Sequence, residues 1–367
     1  MKKSRVILLF IIALLSCSHS VAQTFIPADH PNLVYVGRTS HKNPKAVAFT
    51  YPGVQIHAVF NGNTIAMKTK PGSGYFMVQI DSLDPYKVQS TKSDSIVSLT
   101  PRAPLLALHG VGEPHRLTIT YINEGLLTRP IFYGLQLGAG CTLPARPQLP
   151  SRSIEFIGNS ITCGLGNEGD NSEKKHTADK QNQFYTYAAI AARELNAQCW
   201  IVARSGMGIY RNTCGNPKGD PDNLQAYYPY TLFGMSGEKW DFTRNTPDLV
   251  CINLGTNDTT NPSYDVTLLT AAYVKFIHTL RGHYPHSKIL LLTGTMVRGK
   301  RLQDIKTAQQ QALVTLANEG EHNVARFDFT PDDGSLGYGM FKHPNVARNK
   351  YMAKELVPFI RQLMNWD

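Results

Sequence analysis

Cysteine is scarce in this sequence: six residues in 367, with no C-x-x-C pair among them. That excludes disulfide-framework scaffolds, zinc ribbons and thioredoxin-like redox sites. Charge is sparse too, at 17% of residues, while 42% are hydrophobic, so the chain has the material for real cores and does not read as disordered. The densest basic cluster, Arg298-Gly299-Lys300-Arg301, falls in a predicted loop without interleaved aromatics. No nucleic-acid-binding motif accompanies it, which argues against a nucleic-acid partner. Neither an internal repeat nor a low-complexity tract is present.

The apolar run Val6–Leu15 has ten residues, and a membrane span takes about 20. Preceded by Lys2, Lys3 and Arg5, it reads as the core of a bacterial signal peptide rather than an anchor helix. Ser20-Val21-Ala22 predicts cleavage before Gln23, giving a periplasmic or secreted protein. The alternative is a lipobox, Leu14-Leu15-Ser16-Cys17, which would leave Cys17 acylated as an outer-membrane lipoprotein; Leu15 fits it poorly. Loss of residues 1–22 removes three positive charges and no acids, so the net charge falls from +10 to +7. Part of the basicity is therefore targeting signal, not a clue to an acidic partner.

What remains falls into two patterns. Residues 33–138 carry short β-rich runs at Ala46–Thr50, Gln55–Phe60, Thr64–Lys68, Tyr75–Ile80, Ser95–Leu99 and Arg116–Ile122, separated by turn signals. This predicts a β-sandwich over residues 23–145. Cys141–Pro150, with three prolines, makes a short stiff linker. From Ser151 onward, apolar runs at Ile154–Ile157, Cys199–Ala203, Leu249–Leu254, Ile289–Leu292 and Val324–Phe327 alternate with helical stretches near Phe184–Asn196, Val266–Tyr284, Leu302–Asn318 and Asn345–Trp366. Such alternation predicts a three-layer α/β domain over residues 151–367 with a parallel sheet buried on both faces.

Open parallel sheets bind ligands beyond the carboxyl ends of their strands. There the sequence places Gly158-Asn159-Ser160-Ile161-Thr162, Arg204-Ser205-Gly206 and Gly255-Thr256-Asn257-Asp258. Ser160 suits a nucleophile or, equally, a helix cap. Backbone N–H groups of Ser160 and Gly206 and the amide of Asn257 suit an oxyanion hole, the set of donors aimed at a developing negative oxygen. His343 is the candidate base. Pro344 disfavours helical backbone at His343, leaving the imidazole on an extended residue before a helix that Asn345 would cap. His278, His283 and His286 lack metal-ligand spacing and read as surface residues.

These blocks, in this order with His343-Pro344-Asn345, resemble the four conserved blocks of SGNH (GDSL-type) hydrolases. Gly208-Ile209-Tyr210-Arg211-Asn212 and the domain order are similar to carbohydrate esterase family 2 in particular. The resemblance covers nearly the whole chain after residue 22. It implies a jelly-roll sandwich followed by a flavodoxin-like SGNH domain. It also implies O-deacetylation of acetylated polysaccharides or oligosaccharides, with Ser160 as nucleophile, His343 as base, and Gly206 and Asn257 in the oxyanion hole. No metal or organic cofactor is implied. Two departures stand out. Asn159 replaces the usual Asp beside the serine. Met340 and Phe341 stand where an Asp usually precedes the histidine, leaving Asp328, Asp332 and Asp333 as the nearest acids upstream. The expectation is a Ser–His dyad, with a backbone carbonyl orienting the imidazole.

The long connection Gly208–Pro247 carries seven aromatic residues, among them Tyr210 and Trp240, the candidates for stacking on sugar. The alternative is that they pack the loop onto the sheet. Cys163 and Cys214, each following an active-site turn, are candidates for a disulfide. Two other functions compete: a lysophospholipase or thioesterase using the same blocks, and a catalytically inactive glycan-binding protein.

Overall fold

The computed structural model describes residues 23–100, 113–234 and 237–367. The expected signal peptide and Cys17 lie outside the described residues. The first ten strands are β1 (Thr24–Pro27), β2 (Val34–Val36), β3 (Val47–Ala48), β4 (Gln55–Phe60), β5 (Ile65–Thr69), β6 (Gly74–Ile80), β7 (Tyr86–Ser90), β8 (Ile96–Ser98), β9 (His115–Tyr121) and β10 (Ile131–Leu137). They form two antiparallel sheets, one ordered β1-β10-β5-β8 with β3 added to β10, the other β2-β4-β9-β6-β7. Alternation explains the sandwich: in β4, Ile56, Ala58 and Phe60 point inward while Gln55, His57 and Val59 are half-buried. Ile56, Phe60, Val78 and Ile119 from one sheet meet Met67, Phe132 and Leu135 from the other in a single core.

Strands β1, β2, β7 and β10 have no counterpart among the predicted runs. In β10 the reason is Gly134, with φ +146° and a register shift against β5, which breaks the alternation in sequence. β7 is a half-exposed strand at the edge of its sheet, with little apolar signal.

The second domain holds β11 (Arg152–Gly158), α1 (Ser160–Cys163), α2 (Tyr187–Glu194), β12 (Ala197–Ala203), α3 (Leu224–Tyr227), β13 (Leu249–Asn253), α4 (Val266–His283), β14 (Lys288–Thr293), α5 (Gly299–Asn318), β15 (Val324–Asp328) and α6 (Val346–Met364). Its sheet is wholly parallel in the order β12-β11-β13-β14-β15. Ile157, Val250, Ile252, Ile289 and Leu291 face α4 and α5, while Ile154, Phe156, Cys251, Leu290 and Leu292 face α2 and α6. Three layers result, as expected for strands apolar on both sides.

Helix α2 begins at Tyr187 rather than near Phe184, because the Thr186 hydroxyl caps it and Asn182 holds the residues before it in a tight turn. The basic cluster is not a loop either: Arg298 stands at the N-terminal boundary of α5 without a side-chain capping bond, and Gly299-Lys300-Arg301 form its first turn.

The domains are joined by buried polar contacts as well as by the linker. Arg38 of the sandwich lies 3.4 Å from Glu155 of β11, donates to the carbonyls of Tyr228 and Tyr230, and sits 4.5 Å over the Tyr228 ring. Tyr228 completes the group by donating to Glu155 at 2.6 Å.

Candidate active site

Register decides where the site forms. Gly158 of β11 pairs with Ala203 of β12 on one side and Asn253 of β13 on the other. Three strands therefore end level, and the turns that follow them converge. The sheet order reverses between β11 and β13, opening a crevice at that point. Ser160 follows the first of these strands and Asn257 the second.

Gly158 is required by close approach, since a Cβ there would stand 2.1 Å from Thr162 Oγ1. Asn159 caps α1, its Oδ1 accepting the Ile161 N–H at 3.0 Å, so the amide holds the turn in place of the usual carboxylate. Ser160 is thus the first helical residue rather than the cap. It is 7% exposed, and its backbone N–H takes no partner among the described residues.

Ser160 Oγ lies 2.8 Å from His343 Nε2. His343 Nδ1 lies 3.0 Å from the carbonyl oxygen of Met340. A carbonyl only accepts, so Nδ1 carries the proton and Nε2 is the bare acceptor facing the serine hydroxyl. Burial pushes the His343 pKa down to about 4, with the nearby His176 adding to the shift and the Met340 carbonyl opposing it. The ring is neutral at neutral pH, as a base must be.

The Met340 carbonyl is aimed by unusual backbone. Phe341 (φ 53°) and Lys342 (φ 58°) are both left-handed, which costs on the order of 1–2 kcal/mol per residue. Asn171 Oδ1 steadies this turn by accepting the Lys342 N–H at 2.9 Å. His343 is extended ahead of Pro344, and Asn345 caps α6 through the Arg348 N–H, both as expected. The three upstream acids are engaged elsewhere. Asp328 pairs with Lys306 and Arg326, Asp332 accepts the Gly334 N–H, and Asp333 accepts from Ser335.

Gly206 has φ +81°, and its N–H takes no partner among the described residues. Asn257 is 7% exposed. Its Nδ2 donates to the Met207 carbonyl at 2.7 Å, and its Oδ1 accepts from Thr213 Oγ1 at 2.7 Å, which leaves the second amide hydrogen available. Thr213 was not evident in the sequence as part of this arrangement. Asp258 stands in its sequence block without an evident role; its buried carboxylate accepts the N–H groups of Ile209, Tyr210, Arg211 and Gly255 and so binds two of the turns together. Burial raises the Asp258 pKa above the ordinary carboxylate value, against the pull of those N–H donors.

The aromatic connection packs inward. Trp240, 4% exposed, lies against Trp200, with Arg38 and Arg244 over its ring. Tyr210, 6% exposed, belongs to the core beside α4, and its hydroxyl accepts the Asp265 N–H. Both are largely buried, which leaves little of either ring for the expected stacking on sugar; Tyr210 still lines a surface cavity with Lys218, Asp220 and Asn223. In the segment that leads to His343, Phe341 is 46% exposed and Leu336 is exposed as well. Cys163 is buried and Cys214 exposed, and both are free thiols, so the expected bridge is absent. His278 pairs with Glu319, and His283 stacks on Phe242, as surface side chains do.

Two family models match the chain: Carbohydrate esterase 2 N-terminal over residues 35–147, and the GDSL-like Lipase/Acylhydrolase family over residues 156–351. The solved structure of a family two carbohydrate esterase from Clostridium thermocellum, in complex with cellohexaose, superposes with a TM-score of 0.82 at 32% identity, covering 91% of this chain and 100% of that one. The chain belongs to carbohydrate esterase family 2. Its second domain is accordingly that of a carboxylic ester hydrolase. Among curated proteins, the cellulase/esterase CelE of Acetivibrio thermocellus is 33% identical over 342 residues, which are 92% of this chain and 40% of that protein. This family 2 chain thus spans well under half the length of CelE. An acetylxylan esterase / glucomannan deacetylase of Cellvibrio japonicus is 29% identical over 360 residues, covering 96% of this chain and 94% of that protein.

Proposed function

We propose that the protein is an exported carbohydrate O-acetyl esterase that removes acetyl groups from plant-type polysaccharides or oligosaccharides. The observation that carries this reading is the Ser160–His343 pair at 2.8 Å with Nδ1 held by the Met340 carbonyl. Ser160 Oγ attacks the acetyl carbonyl carbon while its proton passes to His343 Nε2. The oxyanion is met by the N–H groups of Ser160 and Gly206 and by Asn257 Nδ2. The tetrahedral intermediate then expels the sugar hydroxyl, protonated by His343, and leaves acetyl-Ser160. Water activated by the neutral imidazole releases acetate and restores the serine. No Asp takes part: the carbonyl of Met340 orients the ring and faces the positive charge that develops on it.

Deacetylated glycan is the favoured leaving group because one relative is named an acetylxylan esterase / glucomannan deacetylase and another was solved in complex with cellohexaose. The exposed Phe341 ring, two residues before His343, offers an apolar face for a pyranose. The intact pair of reacting groups favours turnover over binding alone. A jelly-roll connection of the sandwich, the division at residues 145–151 and the signal peptide over residues 1–22 belong to the same proposal. No helix among the described residues is long and apolar enough to cross a membrane.

The test is acetate release from acetylated xylan, mannan, pectin and peptidoglycan by the wild type and by Ser160→Ala. Release from the plant polymers, absent in the variant, is the expected result. Release from none of them, or equal release by Ser160→Ala, would sink the reading.

A further inference from the structure

The sandwich reaches the cleft through the connection that follows β9. There Ile122, Asn123 and Glu124 are fully buried. Glu124 Oε1 accepts the Ser205 hydroxyl at 2.5 Å and Oε2 accepts the Ser205 N–H at 2.8 Å. Oε2 also faces the thiol of Cys163, at 3.8 Å, on the helix that Ser160 begins. One carboxylate of the first domain thus touches both the turn that presents Gly206 and the helix that presents the nucleophile.

Glu124 is itself rigidly held. Its carbonyl accepts the N–H groups of Leu127 and Thr128. Asn123 accepts from the Tyr75 N–H at 2.9 Å and donates to the Ala178 carbonyl at 2.7 Å, and the Ile122 carbonyl accepts the Gln183 N–H. Gly206 contrasts with this. No heavy atom stands within 4 Å of where its Cβ would be, so packing at that position does not fix it. Hydrogen bonds on either side do: Ser205 to Glu124, and the Gly206 carbonyl to the Thr213 N–H at 2.9 Å.

We propose that Glu124 is a positioning residue, through which the sandwich fixes the Ser205–Gly206 turn and aims the Gly206 N–H at the oxyanion. A carboxylate suits this task, because it alone accepts from the hydroxyl and the N–H of one residue at two separate oxygens. Burial raises its pKa above the ordinary carboxylate value, opposed by the Ser205 donors and the charge of Arg204, a desolvation cost that packing alone does not require. The inference rests on the reading of Gly206 as an oxyanion donor.

The experiment is steady-state hydrolysis of 4-nitrophenyl acetate by the full chain, with thermal unfolding of each variant alongside. Glu124→Met keeps the length of the side chain but removes both acceptor oxygens. Its kcat should fall by about 10²-fold, near the effect of losing one oxyanion donor, with KM within about twofold. Ser205→Ala removes only the hydroxyl bond and should lower kcat by less; adding it to Glu124→Met should cost little more, since the two act as one unit. Wild-type kcat in a folded Glu124→Met overturns the proposal. If that variant does not fold, Ser205→Ala decides: a kcat loss at unchanged KM and melting temperature supports positioning, and unchanged kcat overturns it. Absence of wild-type turnover, or turnover retained by Ser160→Ala, would instead refute the esterase reading on which the proposal stands.

Discussion

In the α/β half, strands end level at Gly158, Ala203 and Asn253, and the proposed reactive groups stand in the turns beyond these carboxyl ends. In the sandwich, the ten antiparallel strands among the described residues turn back at both ends, and the short connection after β9 touches the same cleft. Parallel strands need crossovers, so all their carboxyl ends open on one side, and chemistry gathers there. Hairpins scatter their loops, and such a domain contributes support rather than reacting atoms. On the proposed mechanism, the two domains differ in role as they differ in strand direction.

The largest effects are expected at the proposed reacting atoms. Ser160→Ala should lower kcat on an aryl acetate by on the order of 10⁴-fold or more with the fold intact; retention of even a tenth of the wild-type rate would move the chemistry elsewhere. Asn257→Ala removes one of three donors and should reduce kcat by about 10²–10³-fold without abolishing turnover. A variant at full activity would take Asn257 out of the oxyanion hole.

Acid should act through the same histidine. Protonation of Nε2 removes the acceptor for the Ser160 proton, so kcat/KM should fall about tenfold per pH unit below an apparent midpoint near 4. Between pH 4 and the ordinary value of 6.5 the unfolded chain binds more protons at this ring than the folded one, so stability should also decline as pH drops through that window. A pH–rate profile with its acid limb centred at 6.5 would contradict the buried, neutral imidazole.

Smaller effects separate packing from contact. Trp240→Ala should destabilise the fold by about 3–5 kcal/mol and leave KM on a polymer unchanged. Phe341→Ala should do the reverse, raising KM by roughly 2- to 10-fold with little change in melting temperature; the opposite pattern would restore Trp240 to the substrate. Smallest of all, Asp328→Asn and Asp333→Asn should keep kcat within about twofold, because the Met340 carbonyl already occupies Nδ1. Loss as deep as in His343→Ala would establish a triad.

Much of the site was legible in sequence for physical reasons. Glycine marks close approaches or backbone that few residues adopt, and proline fixes the residue before it, so Gly158, Gly206 and the His343-Pro344 pair declared two turns and an extended segment in the chain alone. Apolar runs of five strands were equally plain, because burial on both faces leaves no polar alternation to confuse. What stayed hidden depends on tertiary contact. Nothing local distinguishes Trp240 buried against Trp200 from a tryptophan stacked on sugar. Met340 looked like a missing acid, since a backbone carbonyl has no residue type. Glu124 lies 81 residues from Ser205, and only the docking of one domain on the other brings them together.

On the proposed mechanism Ser160 becomes acetylated and His343 alone handles its proton. The most direct measurement is peptide mass mapping after rapid acid quench of the enzyme mixed with an aryl acetate. One acetyl group is expected on the peptide bearing Ser160, accumulating during turnover and missing from Ser160→Ala. Turnover with no acetyl-enzyme, or acetylation confined to another residue, would contradict it.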